Sequence, residues 1–216
     1  MNKSNIKGNV ILMITAFIWG TAFVAQSVGM DYVGPFTFIT ARYIVGGLFL
    51  IPCIYLLDKM NKKEVKERGN DDKKILMTGG LLCGIALFTA SCFQQIGIKY
   101  TTVGKSGFIT ALYIIIVPLL GILFKKKVSI KVWISVAISL IGLYLLCMNE
   151  SFSISRGDFL IFMCAVCFSI HILIIDKYSS LVDGVRMSCI QFFVAGILGI
   201  IPMFVFENPQ IKDILN

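Results

Sequence analysis

The stretch PFTFITARYIVGGLFLIPCIYLL, residues 35–57, carries a single charge, Arg42, in an otherwise apolar run. Its 23 residues would reach about 35 Å as a helix, at about 1.5 Å per residue. The hydrocarbon core of a bilayer is about 30 Å thick, so the run can cross it. Lipid offers no partner to an unpaired backbone group, which leaves helices and closed barrels as spanning structures. The alternation of a barrel strand is absent, so the run reads as a membrane helix.

Six further runs of this kind lie at residues 10–28, 75–97, 105–124, 131–148, 158–176 and 187–206. The chain of 216 residues is 57% hydrophobic and only 15% charged, with a mean hydropathy of +0.85. Soluble domains are roughly half apolar and a quarter charged. The expected fold is therefore all-α, a polytopic membrane bundle of about seven transmembrane helices. Residues 10–28 follow Lys3 and Lys7, as a signal peptide would. The run is too long for an h-region, no A-x-A site follows and another span comes next, so it reads as the first helix.

The net charge of +8 lies mostly in short stretches between the runs. No basic domain is present, and nucleic acid is not an expected partner. With the N-terminus inside, 15 Lys and Arg residues fall on the inner side, including Lys59 to Lys74 and Lys125 to Lys127. Four fall outside: Lys99, Lys105, Arg156 and Lys212. That bias predicts a cytoplasmic N-terminus and, with seven spans, an outer C-terminus. Residues 58–74, DKMNKKEVKERGNDDKK, read as a solvated loop, with a lipid-headgroup patch as the sharper alternative. The other connections are short, so consecutive helices are expected to be antiparallel neighbours.

A shift of 149 residues lays RYIVGG (42–47) over QFFVAG (191–196). Gly8 then meets Gly157, Trp19 meets Phe168, Arg42 meets Gln191 and Asp58 meets Glu207, with Pro52 one residue out from Pro202. Five spans separate equivalent helices, an odd number, so the second copy is inverted. Residues 8–148 form a first five-helix unit, and 157–216 hold two helices and a tail of a second. Three more helices would be expected after Asn216, so the chain reads as a partial form. Inverted repeats mark secondary transporters, with the substrate site near mid-membrane.

Several segments carry a family resemblance: AFIWGTAFVAQ in the first helix, PFTFITARYIVGGLFLIP in the second, YTTVGKSGFITALYIIIVPLLGILF in the fourth and VWISVAISLIGLYLL in the fifth. Together with the placement of Trp19-Gly20, Arg42, Pro118 and Gly142, they resemble the EamA-like branch of the drug/metabolite transporter superfamily. The resemblance covers residues 8 to about 148 well and 157 to 206 more loosely. It implies ten helices in two inverted five-helix units and alternating-access export or exchange of small metabolites. The acidic residue often found after the family's fourth helix is replaced here by Lys125-Lys126-Lys127.

Eight residues are expected to line a substrate pathway: Trp19, Gln26, Arg42, Gln94, Thr110, Tyr113, His171 and Gln191. Arg42 lies about 10 Å inside its helix, at about 1.5 Å per residue, where an arginine faces a cavity or a partner rather than lipid. No acidic residue lies at that depth in any run, which points to an anion-attracting cavity over a structural arginine. Trp19, Phe23 and Gln26 share one face of the first helix. Ser106, Thr110 and Tyr113 share a face of the fourth, with Pro118 a turn beyond to break or kink it. Gln94 and Gln95 suit interhelical hydrogen bonds. His171, the single histidine, sits on a face with Cys164, Cys167 and Phe168, and could relay protons or pack. Gln191 is the repeat counterpart of Arg42. Gly80-x-x-x-Gly84 is a close-packing motif. GKS at 104–106 lacks the upstream glycine of a phosphate loop, since Lys99 stands there, and begins a membrane helix.

The seven cysteines all fall in apolar runs, and packed thiols are favoured over a metal site at Cys164, Cys167 and His171. No metal and no cofactor are expected. The leading reading is a secondary transporter of small metabolites in the plasma membrane, not an enzyme. Its partners are a small-molecule substrate, the lipid bilayer and a second copy in a homodimer. The alternatives are a seven-helix receptor or an intramembrane enzyme. A retinal protein would need a lysine in the last helix, and residues 187–206 have none. The runs hold no paired carboxylates and no serine–histidine constellation for an enzyme.

Overall fold

A computed structural model describes residues 3–61, 70–123, 128–147, 155–207 and 209. The described residues form helices joined by short turns. The helices are α1 (Lys3–Gly29), α2 (Pro35–Asn61), α3 (Asn70–Ile98), α4 (Val103–Ala111), α5 (Tyr113–Leu123), α6 (Ile130–Cys147), α7 (Arg156–Ser179) and α8 (Gly184–Phe206). Six are long and apolar enough to cross a membrane, counting α4 and α5 as one span, Val103–Leu123. The chain is a multi-pass membrane bundle. Residues 62–69 of the loop at 58–74, the Lys125-Lys126-Lys127 run and the tail after Pro209 lie outside the described residues.

The fourth span is divided at Leu112, six residues before Pro118, which lies inside α5. Proline has no N–H to give the carbonyl four residues back, and its ring crowds that carbonyl. The turn just upstream tightens: the Leu112 N–H bonds Ile109 O at 3.1 Å and the Ile115 N–H bonds Leu112 O at 2.9 Å, both i to i−3. The break therefore separates a polar segment, with Ser106 and Thr110 buried, from an apolar one.

The expectation that consecutive helices pack as neighbours needs correction. The most extensive contacts are α3 with α7, α2 with α8 and α3 with α8. Short turns fix the directions of successive helices but not which faces touch. Glycines choose the faces. A Cβ on Gly80 would sit 2.5 Å from Ile190, and one on Gly84 2.5 Å from Val194, so the Gly80-x-x-x-Gly84 ridge seats α8. Gly97 faces Ile161, and Gly79 faces Tyr178. These pairings make α3 antiparallel to α7 and parallel to α8. Gly47 lies against Phe193 and Gly196 against Ile44, so α2 and α8 run antiparallel. Ile39, Tyr43, Leu87 and Ala195 are buried together at the centre, with Phe88, Phe168 and Phe192 around them. Outward positions such as Phe17, Phe49, Leu123, Ile138 and Phe204 are exposed, as lipid-facing side chains are. α1 and α6 lie at the periphery, touching chiefly α4.

Candidate functional site

Two polar sets are buried between these helices. Arg42 is seven residues past the start of α2, Ser91 seven before the end of α3, and Thr110 seven past the start of α4. Those three termini lie at one end of the bundle. At about 1.5 Å per residue, the three side chains share a level about 10 Å in. Gln26, Thr40, Gln94, Gln95 and Ser106 are buried nearer that end.

The half-buried Arg42 guanidinium lies over the rings of Tyr43 and Phe38, 4.7 and 5.8 Å from their centroids. Its Nη2 donates to Tyr43 Oη at 2.9 Å. Arginine can only donate, so the tyrosine oxygen accepts from it, and the same oxygen shares a further hydrogen bond with Ser91 Oγ, 2.5 Å away. Gln94 Nε2 donates to Thr110 Oγ1 at 3.4 Å. Gln95 Nε2 donates to the Gln26 carbonyl at 3.2 Å, tying α3 to α1. Among the described residues, several buried polar atoms have no hydrogen-bond partner: Arg42 Nε, Thr40 Oγ1, Ser106 Oγ, Gln26 Oε1 and Gln95 Oε1. Buried polar groups without partners are rare and mark places where something else can bind. Among the described residues no carboxylate pairs with Arg42.

The second set lies toward the opposite end. His171 Nε2 and Gln191 Oε1 are 3.0 Å apart across α7 and α8, both buried. Phe168 meets the imidazole edge-on at 6.3 Å. Gln191 is seven residues past the start of α8, as Arg42 is past the start of α2. The imidazole is committed to Gln191, and no group of three or more His, Cys, Asp or Glu that could hold a metal ion stands together among the described residues.

The ends of the α2–α8 seam are held by carboxylates. Glu207, just past α8, accepts from the Phe36 N–H, the Thr37 N–H and the Thr37 hydroxyl, each at 2.7 Å. It thereby caps the otherwise unpaired amides of α2 and faces the positive end of its dipole. At the other end Asp58, late in α2, is 2.5 Å from Arg186 in the first turn of α8. A third carboxylate, Asp158, forms a capping box with Ser155 at the start of α7, accepts from the Thr101 hydroxyl and lies 3.9 Å from Lys105.

Of the eight candidate residues, Arg42, Gln94 and Thr110 share the first set with Gln26 beside them, and His171 and Gln191 form the second. Trp19 stays on the outer surface of α1, half exposed. Tyr113 is half-buried just beyond the Leu112 interruption. Sequence reasoning missed Tyr43, Ser91 and Glu207. The first two are ordinary residues of apolar helices. Glu207 lies outside the runs, although the 149-residue shift already pairs it with Asp58.

The EamA-like transporter family model matches residues 6–148. An uncharacterized transporter from Archaeoglobus fulgidus is 33% identical over 202 residues, which is 93% of this chain and 59% of that protein. The chain thus spans about three-fifths of the length of this curated relative. No solved structure matches. A polytopic helical bundle with a buried polar layer, matched over two-thirds of its length by that family model, belongs to the EamA-like transporter family.

Proposed function

We propose that the chain works in alternating-access movement of small solutes across the plasma membrane, as a secondary transporter rather than an enzyme. One observation carries this reading: the contacts along the α2–α8 seam are reciprocal under the 149-residue shift. Gly47 meets Phe193, and their counterparts Gly196 and Ile44 meet each other. Thr37 meets Glu207, and their counterparts Arg186 and Asp58 meet each other. An interface in which i touches j while the counterpart of i touches the counterpart of j has two-fold character. Because α2 and α8 are antiparallel, the axis lies in the membrane plane, the relation of inverted transporter units. This supports reading residues 8–148 as one five-helix unit and 157–216 as the opening of its inverted mate.

The reciprocity supplies two latches of unlike chemistry. Glu207 on the α2 N-terminus closes the end expected to face outward, and Asp58–Arg186 closes the end expected to face the cytoplasm. Releasing one while the other holds exposes the buried polar sets to one side at a time. The transporter family and the lack of paired catalytic groups in the spans favour this over a receptor or an enzyme.

The test needs no known solute. A single cysteine at Tyr113, in a full-length cysteine-depleted protein, is labelled with a membrane-impermeant maleimide in right-side-out and inside-out vesicles. Glu207→Gln is expected to raise labelling from outside, and Asp58→Asn from inside. Equal changes from both sides, or no change from either, would sink the reading.

A further inference from the structure

We propose that the Arg42 layer binds one carboxylate group of a small solute, so that the protein selects organic monoanions; this rests on the transporter reading and names its substrate class. Arg42 has five N–H donors and spends one, on Tyr43. Tyr43 and Ser91 hold two hydroxyl hydrogens and spend one on the bond between them, which leaves one O–H of the pair to point onward. Thr110 accepts from Gln94, and its own O–H has only the Cys164 sulfur, a weak acceptor, beside it. Ser106 Oγ has no partner among the described residues. Hydroxyls in membrane helices commonly spend their hydrogen on a carbonyl one turn back, as Thr89 does on Ile85 O and Ser169 on Ala165 O. Ser91, Ser106 and Thr110 do not.

Charge points the same way. The described acidic residues near this bundle's core stand at helix ends, and each has other company: Glu207 caps α2, Asp158 caps α7 and Asp58 holds Arg186. Among the described residues, the layer therefore carries one positive charge with no carboxylate paired to it. An uncompensated arginine inside a span is costly, and a bound anion removes that cost. A single carboxylate balances it, a dication or cation would add to it, and a dianion would leave a negative charge stranded. Carboxylate geometry also fits the planar fork of a guanidinium, which offers two parallel donors. Around the layer stand Ile39, Leu87, Phe88, Phe168 and Phe192, so the body of the solute meets apolar and aromatic surface.

An isosteric set separates charge from shape: benzoate, benzamide and benzylamine, each added to full-length protein in neutral detergent at constant ionic strength. Thermal stability against concentration gives an apparent affinity. Benzoate alone is expected to stabilise. Arg42→Gln is expected to weaken benzoate binding by about tenfold or more, the loss of a charge-assisted pair. Arg42→Lys should keep part of it, and Ser91→Ala should weaken it less without changing the order of the three probes. Stabilisation by benzamide or benzylamine equal to that by benzoate overturns the proposal. So does benzoate binding that survives Arg42→Gln, or no charge-dependent stabilisation at all. If the vesicle labelling still switches sides while benzoate fails, the transporter reading stands and only the substrate class falls. Should Arg42→Gln fold poorly, Arg42→Lys and Ser91→Ala still decide the matter.

Discussion

The rings of Tyr43 and Phe192 lie 5.4 Å apart at the centre of the α2–α8 seam. Their numbers differ by 149, so each is the other's counterpart. A residue that touches its own counterpart sits on the axis relating two copies. Only one of the pair carries a hydroxyl, and that hydroxyl links Arg42 to Ser91. The departure from symmetry therefore falls at the charged layer.

Tyr43→Phe makes the two rings alike and strips both Arg42 and Ser91 of a buried partner. The expected cost is about 1–3 kcal/mol, the range for leaving buried donors unsatisfied. Unfolding of the detergent-solubilised protein measures it. A change within error would mean the Arg42–Tyr43–Ser91 chain holds nothing together.

Glu207→Ala removes the cap of α2. Capping changes cost about 0.5–2 kcal/mol, and three bonds to one carboxylate put this case near the upper end. Asp58→Asn breaks a pair whose side chains are 42% and 33% exposed, and such pairs contribute about 0–1 kcal/mol. Thermal stability should fall further for Glu207→Ala, and the Asp58 effect should shrink by the larger fraction with added salt, since the Glu207 effect rests mainly on three short hydrogen bonds. The reverse order would count against the latch chemistry described for the two ends.

His171 and Gln191 offer a cycle. Gln191→Leu leaves a buried imidazole nitrogen without a partner, at about 1–3 kcal/mol. Adding His171→Phe replaces both polar groups by apolar ones and should recover most of that loss. A double variant no better than the single one would show that the pair is not the reason Gln191 is polar.

Gly196→Ala places a Cβ 2.8 Å from Ile44, whereas Gly47→Ala places one 3.2 Å from a Phe193 ring that can tilt away. The first is expected to cost about 1–3 kcal/mol, the range for overpacking, and the second less. Ile44→Val should partly rescue Gly196→Ala. Equal losses without rescue would argue that the seam is loosely packed.

The spans are legible in sequence because the bilayer forces long apolar runs into helices whatever their neighbours. Which helix touches which is not. Lipid-facing and helix-facing side chains in a membrane are equally apolar, so hydropathy cannot tell Phe49 from Phe192. Glycine spacing gave one true pointer, Gly80 and Gly84, to the seat of α8. Arg42 stands out as a charge in a run, and Gln191 follows from it by the repeat. Tyr43 and Ser91 do not stand out, because their importance lies in whom they touch. Pro118 pointed to an interruption of the fourth span but not to its place, since the break falls six residues earlier, at Leu112.

Gly34 precedes α2, and a side chain there would collide with the carboxylate of Glu207. The two positions are 173 residues apart in the chain yet compete for one space. They should be inherited as a unit. In an alignment of relatives, those with an acidic residue directly after the helix corresponding to α8 are expected to keep glycine at 34. Lineages that lose the acid are released to place any small residue there.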